Sequence, residues 1–317
     1  MKKRTVFSIV GIAAAGAGVA GGLVALGNAL YSAAVAPSPR DEDPVDRYDA
    51  QKEGRSWAKE GNGFRTITMP SSDGLTLWAA LLPAARGEHR WAICMHGYRD
   101  THEAMGAIGR HYAEAGFNVL LPDQRGHGRS QGDYVGWGYD ERLDVVGWVN
   151  YIVRRDPEAR IVLHGVSMGA ASVLLATGGP LPNQVKAAVS DCSYTSIEPE
   201  MKHVLNARMK KSLSIPAPVP FSAMFSALRK ITLKRAGYDL RDVAPIEAVA
   251  RSKTPTLFVH GTEDQVVPPA MMGKLYQAAR CPKSFLWVPE AGHTEAVGAD
   301  PKLYWAAVDS FLEKYMV

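Results

Sequence analysis

The chain contains little cysteine, and its few cysteines indicate neither a disulfide framework nor a metal centre. Cys94, Cys192 and Cys281 are the three cysteines among 317 residues. Their number is odd, their spacing differs from that of metal-ligating motifs, and each lies beside an apolar, strand-like segment. We therefore expect three buried free thiols.

The chain also lacks a dense run of basic residues and any internal repeat. Its formal net charge is +4, and lysine and arginine do not concentrate in one tract as they do in many nucleic-acid-binding proteins. We expect no nucleic-acid partner. Hydrophobic residues make up 46% of the chain, enough for a substantial core, and the length fits one large domain after an N-terminal segment.

Charge is absent altogether from residues 5–35, and residues 2–4 before them are all basic. The stretch exceeds the roughly 20 residues that a helix needs to cross a bilayer. It is also longer than the apolar region of about 7–15 residues in a secretory signal peptide. We predict a single-pass transmembrane helix within residues 1–36, in the cell membrane, with the rest of the chain on the extracytoplasmic side. The alternative is a signal peptide cleaved after Ala34-Val35-Ala36, which yields a secreted protein.

The remainder of the chain alternates between strand and helix patterns after a polar stretch, 37–62, that we predict to be a linker. Strands are predicted over 64–69, 75–82, 91–95, 117–121, 161–163, 185–189, 256–259 and 284–288, and helices over 103–114, 139–155, 269–279 and 302–315. This alternation predicts an α/β domain over 63–317, with a mostly parallel sheet covered by helices on both faces. Ligands of such sheets bind at the carboxyl ends of the strands.

One interval, at about 195–241, breaks the alternation and predicts a helical cap over those strand ends. Between Met201 and Tyr238 it has no acidic residue. Eight basic residues occur there: Lys202, Arg208, Lys210, Lys211, Arg229, Lys230, Lys234 and Arg235. These charges form either a solvated face of the cap or a surface that lies against anionic lipid.

A Gly-x-Ser-x-Gly motif, Gly165-Val166-Ser167-Met168-Gly169, lies between a predicted strand and a stretch of small, helix-compatible residues. In this context the motif is typical of a nucleophile elbow, in which the glycines allow a sharp turn and the serine hydroxyl points out at the helix N-terminus. We predict that Ser167 is a nucleophile.

A serine nucleophile needs a base, and the base needs a third group to orient it. His293 lies in a turn after the last predicted strand, and Asp264 follows the strand before that. The order Ser167, Asp264, His293 is the order of such triads in proteins with this elbow. Two other carboxylates stay open as the acid: Asp191, which ends another strand, and Glu263.

The oxyanion of an acyl-transfer intermediate needs backbone donors as well. The N–H of Met168, directly after the nucleophile, is one, and the N–H of Tyr98 in the loop after the first central strand is the other predicted donor. Gly97 lets that loop approach the serine closely. His96 and His102 lack a third metal ligand, so we expect no metal and no cofactor.

These stretches together resemble the α/β-hydrolase fold, serine-hydrolase branch. The likeness is to single-span, membrane-tethered bacterial hydrolases of the lysophospholipase-like and serine-aminopeptidase-like groups. The matching stretches are His96-Gly97-Tyr98, 123–130, 138–144, 165–169, 260–264 and Gly292-His293. The resemblance implies the α/β-hydrolase fold, the triad above and an architectural role for the turn at 123–130.

We predict from the motifs and the resemblance a serine hydrolase that cleaves a small-molecule carboxylic ester, an acyl-lipid or thioester included, through an acyl-serine intermediate. A peptidase acting on short peptides is the first alternative. It needs a group such as a cap carboxylate to hold the substrate's amino terminus, and the stretch from Met201 to Tyr238 contains none. The second alternative is a non-catalytic, membrane-anchored binding module.

Overall fold

An eight-stranded sheet organises the protein. The computed structural model describes residues 19–37, 46–61, 63–85, 88–211 and 220–316. The strands are β1 (Arg65–Pro70), β2 (Thr76–Leu82), β3 (Arg90–Met95), β4 (Asn118–Pro122), β5 (Arg160–Val166), β6 (Val185–Asp191), β7 (Thr256–Gly261) and β8 (Lys283–Val288). Their order across the sheet is β1-β2-β4-β3-β5-β6-β7-β8. β1 and β2 form an antiparallel hairpin, β2 is antiparallel to β4, and the other neighbours are parallel. The predicted mostly parallel α/β sheet is confirmed.

Helices lie on both faces of this sheet. Further helices form the segment before the first strand and the cap interval. They are α1 (Val19–Ala34), α2 (Asp49–Glu60), α3 (Gly106–Glu114), α4 (Glu141–Val153), α5 (Met168–Thr177), α6 (Ile197–Lys211), α7 (Phe221–Ala236), α8 (Pro245–Val249), α9 (Ala270–Ala278), α10 (Ala296–Ala299) and α11 (Pro301–Tyr315). Two 3₁₀ turns, His102–Met105 and Leu240–Asp242, complete the described elements.

The core has two layers because side chains alternate along each strand. On β5, Val162 packs into the layer that α3 and α11 cover, and Ile161 and Leu163 pack into the layer that α4 and α5 cover. The central strands are therefore buried on both faces of the sheet. The carboxyl ends of β5, β6, β7 and β8 point to one edge, and the loops at that edge carry the predicted site residues.

The N-terminal helix α1 packs against cap helix α7. Tyr31 and Val35 are buried in the same cluster as Phe225 and Leu228 of α7. No helix within the described ranges is long and apolar enough to span a bilayer. The first eighteen residues of the predicted anchor lie outside the described part of the chain.

The predicted linker, 37–62, contains the packed helix α2, which the structure places against α3. Gly54 and Ala58 are buried along one side of the helix, and the other positions are mainly polar. Gly61 ends the helix in a left-handed conformation. Because so few residues of this segment are apolar, its composition resembles that of a linker. Residues 38–45 and 62 lie outside the described residues.

Helices α6 and α7 occupy the interval predicted as a cap. Two of its basic side chains have partners: Arg229 pairs with Asp239, just after the acid-free stretch, and the guanidinium of Arg235 lies 4.2 Å from the ring centre of Tyr31. Lys202, Lys230 and Lys234 are exposed, and the side chains of 208–211 lie outside the described part. Both interpretations of the basic cap stay predictions.

Candidate active site

The sharp turn predicted around Ser167 is present between β5 and α5. Ser167 has φ 55° and ψ −118°, a strained backbone conformation for a residue other than glycine. A Cβ on Gly165 would lie 2.3 Å from the carbonyl oxygen of Gly169, and a Cβ on Gly169 would lie 2.1 Å from that of Met95. Only glycine fits at either position, which explains the two flanking glycines of the motif.

The structure brings the three predicted triad side chains together. Oγ of Ser167 lies 2.8 Å from Nε2 of His293, and Nδ1 of His293 lies 2.7 Å from Oδ2 of Asp264. A carboxylate accepts only, so Nδ1 carries the proton and Nε2 is left to accept from the serine hydroxyl. This is the tautomer that a general base needs.

Asp264 is held in its ionised form by donors around it. Its Oδ1 accepts hydrogen bonds from the backbone N–H groups of Val266 and Val267, at 2.8 and 2.9 Å. Burial alone would raise the pKa of the Asp264 carboxyl, but hydrogen bonds from His260 and His293 outweigh it and hold the pKa well below its usual range. The carboxyl therefore stays charged at neutral pH, as stabilisation of an imidazolium would require.

The two other carboxylates that the sequence left open lie elsewhere. Glu263 is exposed beside Asp264. Asp191 is buried, and its Oδ2 accepts from the hydroxyl of Tyr304 at 3.1 Å. Burial raises the pKa of Asp191 to about 6. Of the three candidates, Asp264 is the one hydrogen-bonded to His293.

A buried polar chain that sequence reasoning missed runs from Asp191 through the sheet. The hydroxyl of Tyr304 lies 2.9 Å from Nε2 of His164, and Nδ1 of His164 lies 3.0 Å from the hydroxyl of Tyr112. Burial lowers the pKa of His164 to about 3, so the ring is neutral. His164 stands three residues before Ser167, but nothing in the sequence pairs it with a tyrosine 140 residues away.

The loop after β3 lies against the serine, as the predicted oxyanion site requires. A Cβ on Gly97 would be 3.4 Å from Cβ of Ser167, so the backbone of the loop passes at contact distance. Met168 is the first residue of α5, where helix geometry leaves N–H groups without an intrahelical acceptor. The ring of Tyr98 stacks on that of Trp137, with the ring centres 4.4 Å apart.

The turn at 123–130 supports this loop, in keeping with an architectural role. Nε2 of His127 accepts from the N–H of Arg99 at 3.1 Å, and Nε2 of His96 accepts from the N–H of Gln124 at 3.0 Å. Burial lowers the pKa of His127 to about 4, which keeps the ring neutral and able to accept. His102 contacts Asp123 at 2.8 Å.

One set of possible metal ligands occurs among the described residues, and it overlaps the triad. Ligand atoms of Cys192, Asp264 and His293 lie within 4.8 Å of one another. His293 and Asp264 already use the facing atoms in their own hydrogen bonds. All three cysteines are buried and free, as predicted.

A cavity of about 730 Å³ opens onto Ser167 and His293. Leu205, Phe221, Met224 and Leu228 of the cap and Leu30 of α1 are among the apolar residues in its wall.

The C-terminal end of α1 is fastened to the rim of this cavity. Arg99 Nη2 donates to the carbonyl of Ala33 at 3.0 Å, and Nε1 of Trp137 donates to that of Ala34 at 3.0 Å. The hydroxyl of Tyr98 donates to Ala34 at 3.3 Å.

Glu200 of α6 is a cavity residue that the sequence interpretation missed. It is 4% exposed, and its Oε2 has no hydrogen-bond partner. Burial, with a smaller contribution from the charge on Asp264, raises its pKa to about 8. Glu200 directly precedes the stretch from Met201 to Tyr238, which contains no carboxylate. The available signal was the position of Glu200 in the first turn of the cap helix, next to an apolar face.

Comparison with known proteins places this geometry among hydrolases. Residues 87–228 match a family model described as serine aminopeptidase, S33. An α/β-hydrolase domain-containing protein of Arabidopsis thaliana is 30% identical over 262 residues, which cover 80% of this chain and 79% of that protein. An uncharacterised protein of Bacillus subtilis is 28% identical over 204 residues, 64% of each chain. An esterase of Pyrococcus furiosus superposes with a TM-score of 0.65 at 19% identity, over 82% of this chain and 96% of that one. This last likeness is one of fold.

Proposed function

The chain belongs to the α/β-hydrolase family and has its fold, and from this premise we propose that it is a serine hydrolase that cleaves carboxylic esters. The observation that carries the proposal is the hydrogen-bond chain from Ser167 through His293 to Asp264. A serine hydroxyl is a weak nucleophile at neutral pH, and such a chain is what activates it.

The proposed reaction has two half-reactions. Oγ of Ser167 attacks the ester carbonyl while Nε2 of His293 takes the hydroxyl proton, and the alcohol then leaves with that proton. A water molecule next attacks the acyl-serine, His293 again takes a proton, and it returns the proton to Ser167 as the carboxylic acid departs. The N–H groups of Met168 and Tyr98 stabilise the oxyanion in both halves. Asp264 stabilises the imidazolium.

The cavity supports an ester with an apolar acyl part, an acyl-lipid or thioester included. Apolar side chains of the cap and of Leu30 lie on its wall, and burial of a hydrocarbon chain contributes about 0.8 kcal/mol per CH₂ group. We propose membrane anchoring through the part of the uncharged stretch 5–35 that precedes the packed turns of α1 as the setting for such a substrate, because these residues carry no charge. Full-length protein that stays in the membrane fraction after alkaline carbonate washing supports the anchor, and release contradicts it.

The test of the function is labelling by a fluorophosphonate probe, which reacts with activated serines. We expect the wild-type protein to be labelled and to hydrolyse p-nitrophenyl esters, and the Ser167→Ala variant to do neither. Ser222→Ala, which removes an exposed serine on α7, serves as the control and should behave as wild type. Folded wild-type protein that takes up no label and cleaves none of the esters would favour the non-catalytic binding module.

Glu200 favours a second candidate function, a peptidase acting on short peptides. An unpaired carboxyl in the cavity can pair with the amino terminus of a peptide, which is the group that the sequence interpretation found lacking. Loss of a charged hydrogen bond costs roughly 1.5–3 kcal/mol. If peptides are substrates, Glu200→Gln should lower kcat/KM for aminoacyl anilides by about tenfold to a hundredfold and leave ester hydrolysis nearly unchanged. Absence of anilide cleavage by the wild type removes this candidate.

A further inference from the structure

The segment 46–55, which we call the strap, lies against both loops that carry the proposed catalytic groups. It comprises the chain before α2 and the first half of that helix. Four of its side chains, those of Asp46, Arg47, Gln51 and Arg55, also border the cavity. Its sequence is polar and charged, which is why it was predicted to belong to a linker.

Arg55 ties the strap to the loop that follows β3. Its Nη1 and Nη2 donate to the two carboxylate oxygens of Asp100, at 2.9 and 3.0 Å, and its Nε donates to Asp46 at 2.6 Å. The Arg55 side chain is 13% exposed, so the paired charges are largely shielded from water. Burial alone would raise the pKa of Asp100, but the hydrogen bonds from Arg55 outweigh it and lower the pKa. The contact therefore persists as a charged, two-pronged pair at neutral pH.

Gln51 and Arg47 tie the same segment to the loop that carries His293. Nε2 of Gln51 donates to the carbonyl of Thr294 at 3.1 Å. Nη1 of Arg47 lies 3.1 Å from Oε1 of Glu295, whose Oε2 accepts from the N–H of Gly292 at 2.9 Å. His293 is thus bracketed by residues on both sides that are tied, directly or through Glu295, to the strap.

Both loops hold a residue in a strained conformation. Arg99 has φ 59° and Thr294 has φ 63°, in the left-handed region that residues other than glycine avoid, β-branched ones most of all. Such conformations persist only where the surroundings impose them, and they cluster at functional sites. The strap binds Asp100, the residue after Arg99, through Arg55, and it binds Thr294 itself through Gln51. It therefore contacts the chain at or directly beside both strained residues.

The strap also packs closely against the helices that follow the two loops, α3 and α10. A Cβ on Gly106, at the start of α3, would lie 1.8 Å from the carbonyl oxygen of Gly54. A Cβ on Gly298 of α10 would lie 2.7 Å from Cβ of Tyr48. A shift of the strap would therefore be passed to α3 and α10, which follow the two loops.

We propose that the strap is a positioning element. It fixes the loop that carries His293 relative to the loop that follows β3 and carries Tyr98, and Gln51 and Arg55 are its positioning residues. The proposal rests on the proposed hydrolase function. It assigns the strap an effect on turnover, since a base misplaced by about 1 Å costs roughly a hundredfold in rate.

The experiment compares Gln51→Met and Arg55→Lys with Lys52→Met, a matched control. Lys52 is exposed on the same helix and pairs only with Asp49 in the described contacts. Ester hydrolysis is measured per active site titrated by the burst of p-nitrophenol, so that misfolded molecules do not count. We expect Gln51→Met and Arg55→Lys to lower kcat roughly tenfold to a hundredfold, with KM changed by less than about threefold. Lys52→Met should match the wild type.

A second readout does not depend on turnover. The Nδ1 proton of His293, hydrogen-bonded to Asp264, gives a downfield proton NMR signal that should shift or broaden in Gln51→Met and stay unchanged in Lys52→Met. Unchanged kcat per titrated site with an unchanged signal overturns the proposal, and so does a change confined to KM. Wild-type protein that is neither labelled by fluorophosphonate nor active overturns the proposed function instead, and the NMR comparison then still decides whether the strap positions His293.

Discussion

The buried carboxyl of Glu200 contributes to the stability of the protein in a way that depends on pH. Its ordinary pKa is 4.5, and burial raises the pKa to about 8 in the folded protein. Between these values the folded state binds the proton more tightly than the unfolded state does. The contribution of Glu200 to stability is therefore full below pH 4.5 and is lost as the pH rises through 8.

We predict that Glu200→Gln raises the free energy of unfolding at pH 9 by roughly 2–4 kcal/mol relative to the wild type. Little change is expected at pH 5, because glutamine resembles the protonated carboxyl. Urea denaturation at the two pH values measures the difference. Glu198→Gln, an exposed glutamate of the same helix, should give no pH-dependent gain. An equal gain at both pH values would show that burial of a charge is not the cause.

The sequence predicted which three side chains the structure brings together, Ser167, Asp264 and His293, because each one follows a strand at the edge where ligands bind. It left the acid open, since Asp191 and Asp264 both follow strands and spacing cannot tell which one reaches His293. In the structure, the carboxylate that contacts Nδ1 of His293, at 2.7 Å, is that of Asp264. Glu200 was missed because the sequence of a helix does not show which of its glutamates is buried: Glu200 is buried, whereas Glu198 of the same helix is exposed.

At the scale of elements, the pairing of α1 with α7 forms one side of the cavity. A Cβ on Gly27 would lie 2.7 Å from Cγ1 of Ile231 and 2.8 Å from the carbonyl oxygen of Ala227. The two helices therefore approach as closely as they do because this position has no side chain. Leu30, one turn further along α1, reaches the cavity.

We predict that Gly27→Leu pushes α1 away from α7 and lowers the free energy of unfolding by about 1–3 kcal/mol, as overpacking does. The displaced wall should raise KM for long-chain p-nitrophenyl esters more than for the acetate ester. Val24→Leu, which adds bulk at a residue that is 56% exposed, is the control. Equal KM changes for short and long esters would mean that α1 does not contact the acyl chain.

The sequence predicted most of the regular elements within one or two residues, since periodic apolar patterns report burial directly. The predicted strand 161–163 is shorter than β5, which runs to Val166, because the polar His164 and Gly165 interrupt the apolar run. Helix α2 was missed because its apolar stripe is too narrow to stand out among charged residues.

For the whole molecule, the sheet could be predicted from the sequence, and the packing of the N-terminal helices α1 and α2 against it and its cap could not. Strand and helix patterns report burial within the fold, and they determined the layers of the sheet. The lack of charge in a helix indicates only that the helix is buried away from water. A bilayer and the apolar surface of another part of the protein can both bury it. Within the described ranges, α1 lies partly against the cap, with Tyr31 and Val35 buried and Leu23 and Val24 exposed.

The attachment of α1 to the rim has a practical consequence for anyone who purifies this enzyme. Removing the first 36 residues to improve handling would also remove Leu30 from the wall and the carbonyls of Ala33 and Ala34 from Arg99 and Trp137. Ser167, Asp264 and His293 would remain in such a shortened protein, but the cavity beside them would be a wider and more hydrated cleft. Substrate profiles should therefore be measured on the intact polypeptide, in detergent or lipid if handling requires it.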